Sequence, residues 1–154
     1  MDTYANTIAL STLRNHVLTR RLSEEDLQYL ASRARVLCYL PGTYLFYESQ
    51  PRREFGIVLR GRIEIRKGRW ARPQILYVLG PGDSFGEGSL LDDYPHSTSG
   101  YVAEPTEVLE IPREVVTEIA QTRPTLYAQL AVGAAQVIAS RLRAANARLV
   151  GRAE

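Results

Sequence analysis

The sequence predicts a mainly β, α+β fold: short antiparallel strands forming a sandwich or barrel, with helices at both ends. Three observations carry this. From residue 36 to about 111, short apolar runs alternate with polar residues and break at glycine-centred turns. On either side of that region, apolar residues recur every three or four positions instead. Nothing inside it alternates with crossover helices, which argues against a parallel α/β sheet. With 154 residues the chain can bury one core without a disulfide or metal staple. One domain over 1–154 is therefore expected, with N-terminal helices in 1–35, strands in 36–112 and C-terminal helices in 113–150.

Residues 8 to 34 read as two short helices. Leu10, Leu13 and Val17 share helical spacing in the first. The second, "LSEEDLQYLASRA", opens with Ser23 and Asp26 in capping positions and has carboxylates in its first turn. Leu27, Leu30, Ala31 and Ala34 supply its apolar face. The strands then begin with "PGTYLFYE" after a Pro-Gly turn. "FGIVLRGRIEIRKG" runs strand, Gly61, strand, with Ile63 and Ile65 alternating against Arg62, Glu64 and Arg66. "PQILYVLGPGDSFGEG" and "STSGYVAEPTEVLEIP" complete the series. "REVVTEIAQ" is a short helix, Pro124 restarts the chain, and 125 to about 149 form one long helix. Leu126 and Leu130 are expected to pack on the strands, while Ile138, Leu142, Ala145 and Leu149 form a seam suited to a partner helix.

Composition excludes several classes. At 45% hydrophobic and 23% charged residues, the chain has the make-up of an ordinary globular protein. A net charge of +2 gives no general pull toward nucleic acid. The basic stretches "RKGRWAR" and "RLRAANARLVGR" are read as solvated faces. No secretory signal opens the chain, and no apolar run nears the roughly 20 residues of a membrane span. The single cysteine, Cys38, lies in the apolar run "RVLCYL" and is expected to be a buried, inert thiol in a reducing, cytoplasmic setting. With only His16 and His96, neither a cupin-type metal site nor a Ser-His-Asp grouping is supported. A haem site through His96 or Cys38 has no accompanying motif, so no metal and no catalysis are expected.

The stretch "FGEGSLLDDYPHS", residues 85–97, combines small residues that let an anion approach, the carboxylate of Glu87 and a short apolar turn. Asp92 and Asp93 sit in a polar turn before Pro95 and read as solvated.

Helices, a roll of about eight strands broken by one tiny helix, and a long final helix together resemble the cyclic nucleotide-binding domain of the catabolite-activator type. Four motifs carry the resemblance, in order, from about Leu10 to Leu149: "PGTYLFYESQ", "GIVLRGRIEI", "LGPGDSFGEGSLLDDYPHS" and "ASRLRAAN". They match the family's Pro-Gly turn and strand, its strand–Gly–strand hairpin, its phosphate-binding cassette and its dimer helix. The resemblance implies an eight-stranded antiparallel β-roll of jelly-roll type, with cAMP or another cyclic nucleotide as ligand. It places ligand-binding residues at Phe85, Gly86, Glu87, Gly88, Ser89, His96, Ser97 and Thr98, with Asn146 on the long helix facing the base. Glu87 repels a phosphate, but it can accept from a ribose 2′-hydroxyl, the role the resemblance implies. Ser89 and Ser97 are neutral donors, and one helical turn over Glu87–Leu91 would favour an anion.

Two departures from the family bear on affinity. Where the family has an arginine for the phosphate, alignment on Pro95 places His96, and Gly88 stands where an apolar residue is common. Arginine is always charged and presents a planar fork. Histidine, with a reference pKa near 6.5, offers one bond per nitrogen. Loss of one charge-assisted bond, worth roughly 1.5–3 kcal/mol, predicts binding weakened about tenfold to a hundredfold. If His96 takes over the contact, binding should strengthen from pH 8 to pH 6. The expectation is thus a regulatory sensor that relays cyclic nucleotide binding through its last helix to a partner or fused domain, as a homodimer. Glu154 lies five residues past Leu149, so no recognition helix and no direct DNA reading are expected. The alternative is a degenerate, ligand-free roll kept as a dimerisation or docking scaffold. A filled or collapsed pocket would favour the latter.

Overall fold

The computed structural model describes residues 3–68 and 71–151. Two helices come first, α1 (Thr3–Asn15) and α2 (Glu24–Arg33). Eight strands follow: β1 (Arg35–Tyr39), β2 (Tyr44–Phe46), β3 (Glu54–Arg60), β4 (Ile63–Lys67), β5 (Gln74–Leu79), β6 (Ser84–Phe85), β7 (Ser99–Val102) and β8 (Thr106–Pro112). A 3-10 turn, Glu87–Leu90, lies between β6 and β7. Helices α3 (Arg113–Thr122) and α4 (Pro124–Gly151) close the chain. The strands make two antiparallel sheets, ordered β1-β8-β3-β6 and β2-β7-β4-β5. This is the expected eight-stranded roll with flanking helices.

Alternation along β8 and β3 explains how three layers share one chain. Val108 and Val58 face the second sheet, where they pack with Phe46, Ile63, Ile65, Leu79 and Phe85. Their neighbours Leu109, Ile111, Phe55 and Ile57 face the helices, against Leu13, Leu30, Ile119, Leu126 and Leu130. Period two therefore sends successive side chains into two different cores. The first sheet is the central layer, and its inner strands β3 and β8 are largely buried on both faces.

The α2 start is capped as its sequence predicts. Ser23 Oγ accepts from the Asp26 amide at 3.1 Å and donates to the Asp26 carboxylate at 3.0 Å. Ser23→Ala is expected to cost about 1 kcal/mol, seen as a lower urea midpoint at unchanged slope. An unchanged midpoint would show that the cap contributes nothing.

Three expectations are corrected. The strand–Gly61–strand segment is not a hairpin within one sheet: β3 and β4 belong to different sheets, and the chain crosses between them at Gly61. Helix α1 starts at Thr3 and stops at Asn15, so Val17 lies beyond it. Cys38 is exposed, not buried. It lies on the edge strand β1, on Val36's face but past the part the helices cover, and its Sγ sits 3.9 Å from a Glu107 carboxylate oxygen. In the basic stretch "RKGRWAR", Arg69 and Trp70 lie outside the described residues.

Candidate functional site: the cassette cavity

The cassette grows directly out of the central sheet. Strand β6 pairs with β3 through Phe85 opposite Gly56 and Ser84 opposite Ile57. The chain then turns at Gly86, whose φ of +67° suits glycine, and a Cβ there would lie 2.4 Å from the Glu54 carbonyl oxygen. The 3-10 turn that follows is pinned by Leu90, fully buried, and by Tyr127 of α4, whose hydroxyl donates to the Leu90 carbonyl at 2.8 Å. Beside this turn opens a cavity of about 390 Å³, within the range of small-molecule sites. Its wall is built from the inter-sheet core, from the cassette and from one face of α4 (Ile138, Arg141, Leu142 and Ala145).

Glu87 is the chemical centre of this cavity. It is only 4% exposed, and its Oε1 accepts from the Arg141 guanidinium. The same guanidinium donates to the Ser84 carbonyl, tying α4 to the start of the cassette. The second oxygen, Oε2, is buried without a hydrogen-bond partner among the described residues. A buried, ionisable acceptor left unpaired costs roughly 1–3 kcal/mol or more. A hydroxyl donor entering the cavity would recover that cost.

His96 also lines the cavity, but not as an exposed turn residue or a ready cation. It is 7% exposed, and its ring stacks on Phe46 with centroids 4.2 Å apart and planes 11° from parallel. Its amide donates to the Gln50 carbonyl at 2.9 Å, and its carbonyl accepts from Ser49 at 2.8 Å. Burial, aided by the Arg52 charge, lowers the imidazole pKa to about 4. The ring is therefore neutral between pH 6 and pH 8, so a gain in binding over that range does not follow from it.

The same shift makes a stability prediction. The unfolded chain takes up the His96 proton near pH 6.5 and the folded one near 4, so His96 removes stability as pH falls through that window. The loss is expected to reach roughly 2–3 kcal/mol. Glu54 has the opposite slope, because burial and Glu110 raise its pKa to about 7. The measurement is therefore the difference between wild type and His96→Gln in urea at each pH. That difference should move in favour of the variant from pH 6.5 down to 4. A constant difference would contradict the neutral, buried ring.

A second guanidinium, that of Arg52, also lines the cavity. Its NH1 donates to Asp92 at 2.7 Å, and its side chain is 15% exposed against 62% for Asp92. A Cβ on Gly88 would lie 2.6–2.8 Å from the guanidinium atoms. Glycine at 88 therefore leaves the space this head group fills. Asp93, exposed, pairs with Arg113, so both aspartates of the turn are ion-paired at the surface.

Of the residues the sequence points to, Phe85, Gly86, Glu87, Gly88, His96, Ser97 and Thr98 line one cavity. Ser89 does not line it; it is buried, with its hydroxyl unpartnered among the described residues. Asn146 is exposed and is not brought to the cavity, where Ala145 stands instead. Arg141 and Arg52 are the functional candidates the sequence reading missed. For Arg141 a signal exists: it stands three residues past Ile138 and four before Ala145, on the seam face rather than a solvated edge. For Arg52 there is none, since "PRRE" does not say which arginine turns inward.

A larger depression, about 590 Å³, is lined by Tyr44, Tyr47, Glu48, Arg66 and Ser99. Its charge is matched internally: Arg66 lies 3.5 Å over the Tyr101 ring and donates to Glu64 at 3.0 Å. Among the described residues no cluster of His, Cys, Asp and Glu could hold a metal, and no helix is long and apolar enough to cross a membrane.

Comparison with known proteins bears on the family and the fold. A cyclic AMP receptor protein of Thermus thermophilus is 29% identical over 138 residues, covering 89% of this chain and 62% of that protein. The chain spans 47–62% of the length of such curated relatives, which are named as a receptor and as transcriptional regulators. A cyclic nucleotide-binding domain from Methylobacillus flagellatus shares the fold at a TM-score of 0.83 and 20% identity, over 96% of this chain and 85% of that one. The regulatory domain of Toxoplasma gondii PKA, crystallised with cAMP, aligns at a TM-score of 0.70 and 24% identity, over 77% of this chain and 46% of that one. The family profile of the cyclic nucleotide-binding domain matches residues 36–123. The chain belongs to the cyclic nucleotide-binding domain family.

Proposed function

We propose that this protein is a cytoplasmic regulatory module that binds a cyclic nucleotide, cAMP by default, in the cassette cavity. The observation that carries the reading is the buried Glu87 carboxylate, with one oxygen held by Arg141 and the other unpartnered among the described residues. A ribose 2′-hydroxyl is a donor of the right kind for Oε2, and Ser97 and Thr98 on the cavity wall can donate to phosphate oxygens. The open cavity supports this reading over a ligand-free scaffold. An exposed, unpaired Cys38 suits the reducing cytoplasm.

The signal runs through α4. Ligand that takes up Glu87 Oε2 also meets Arg141, and Arg141 is the link between cavity and helix. The ligand must favour one helix position over another for any relay to occur. Ile138, Leu142, Leu149 and Val150 leave 38–67% of their surface exposed on this segment. That apolar face fits a second copy of the chain, and the output is assigned to an effector protein or fused domain rather than to catalysis or direct contact with DNA.

Calorimetric titration with cAMP and cGMP tests the reading. Heat of binding is expected for at least one of them, and Glu87→Ala should weaken it at least tenfold. The absence of both heat and a thermal shift at millimolar ligand would overturn it.

A further inference from the structure

We infer that Arg52, from the loop before β3, supplies the phosphate-binding cation of this site, and that Gly88 is the clearance that admits it. The inference rests on the cyclic nucleotide reading and deepens it.

The two departures from the family pattern, at positions 88 and 96, then have one physical cause. The ring at 96 is stacked on Phe46 and leaves the cassette's usual basic position without a charge. An ionised guanidinium nevertheless faces the same cavity, from a different segment of the chain. Arg52, Gly86, Gly88, Ser97 and Thr98 line it together. Any side chain at 88 would meet the guanidinium at 2.6–2.8 Å. The head group is oriented by Asp92, which takes a single NH1 bond at 2.7 Å. A guanidinium carries five N–H donors, and among the described residues this one has no second hydrogen-bond acceptor, so a fork is left for two phosphate oxygens. The Asp92 side chain is 62% exposed, so it steers the arginine without neutralising it inside the cavity. Like-charge repulsion between Arg52 and a protonated imidazole is also part of why His96 stays neutral. Of the two guanidinium groups on the cavity wall, Arg141 is held by Glu87 and the Ser84 carbonyl, which leaves Arg52, from outside the cassette, for the phosphate.

Arg52→Gln, Arg52→Lys, Gly88→Ala and Asp92→Asn are compared with wild type by calorimetry against cAMP, each with an unliganded melting curve. Arg52→Gln is expected to weaken binding tenfold to a hundredfold and to flatten its dependence on ionic strength. A charge without the fork, in Arg52→Lys, should lose less. Gly88→Ala should weaken binding by pushing the guanidinium aside, and Asp92→Asn, which keeps the Oδ1 acceptor that orients Arg52, should bind about as tightly as wild type. If Arg52→Gln melts like wild type and binds cAMP within twofold of it at the same salt slope, the inference fails while the cyclic nucleotide reading stands. Wild type that binds no cyclic nucleotide would overturn both. Should Arg52→Gln not fold, Arg52→Lys and Gly88→Ala binding within twofold of wild type would overturn the inference on their own.

Discussion

Phe85→Ala is expected to destabilise the protein by about 3–5 kcal/mol, the cost typical of removing a large buried ring. Phe85 is 2% exposed and belongs to the core between the two sheets, with the Phe46 ring 6.4 Å away. Its ring also occupies the space a Cβ would need at Gly56. Strand β6 has only two residues, so this ring, with Leu90, is one of two fully buried apolar anchors between the cassette and the sheet. Truncation opens a void that joins the cassette cavity, and water entering there would also loosen the Gly86 turn. Urea unfolding should show the full loss, and cAMP binding should fall with it. Phe85→Leu, which keeps most of the volume, should cost much less. A loss below about 1 kcal/mol for Phe85→Ala would mean that the cassette is held elsewhere.

Arg141→Ala is the second large effect. It leaves the Glu87 carboxylate buried with neither oxygen paired to a side chain, and it removes the tie between α4 and Ser84. Fully buried pairs lose roughly 3–5 kcal/mol when one partner is removed. Arg141 keeps 29% of its side-chain surface exposed, so a smaller loss of about 2 kcal/mol is expected, or ~4–8 °C in thermal midpoint. Glu87→Gln should cost less, because an amide tolerates burial better than an unpaired charge. The double variant should be more stable than the sum of the two losses predicts, with a coupling of about 1–2 kcal/mol. Additive losses would show that Arg141 and Glu87 do not act as a pair. Binding of cAMP gives an independent readout, since Arg141→Ala also frees the helix from the cavity.

The fold was legible because its elements have strong local signals. The Ser23 cap, the switch of period after Arg35, the Pro-Gly and Gly-Pro-Gly turns and Pro124 all sit where elements start or stop. What stayed hidden depends on three-dimensional neighbours. Gly61 marks a turn in any reading, but whether the next strand stays in the same sheet is decided by packing of the two cores. Cys38 sits in an apolar run, yet it emerges because the helices stop short of its part of β1. The candidate site divides in the same way. Gly86 and Glu87 follow from the cassette's own sequence. Arg52 and Arg141 come from 35 residues before and 54 after Glu87, and their inward turn is set by Gly88, Asp92 and the Glu87 carboxylate itself. Asn146 shows the reverse: one position along a helix, a rotation of about 100°, separates the wall from the solvent.

If α4 relays ligand binding as proposed, it acts as a lever with a measurable gain. Its last buried residue is Val137, after which 14 residues run on to Gly151. At about 1.5 Å per residue, Arg141 stands ~6 Å beyond that pivot and the helix end ~21 Å beyond it. A rigid tilt that moves Arg141 by ~1 Å therefore displaces the tip by roughly 3–4 Å. A cavity that closes by less than a bond length on its ligand would in this way shift a contact surface by most of a side chain.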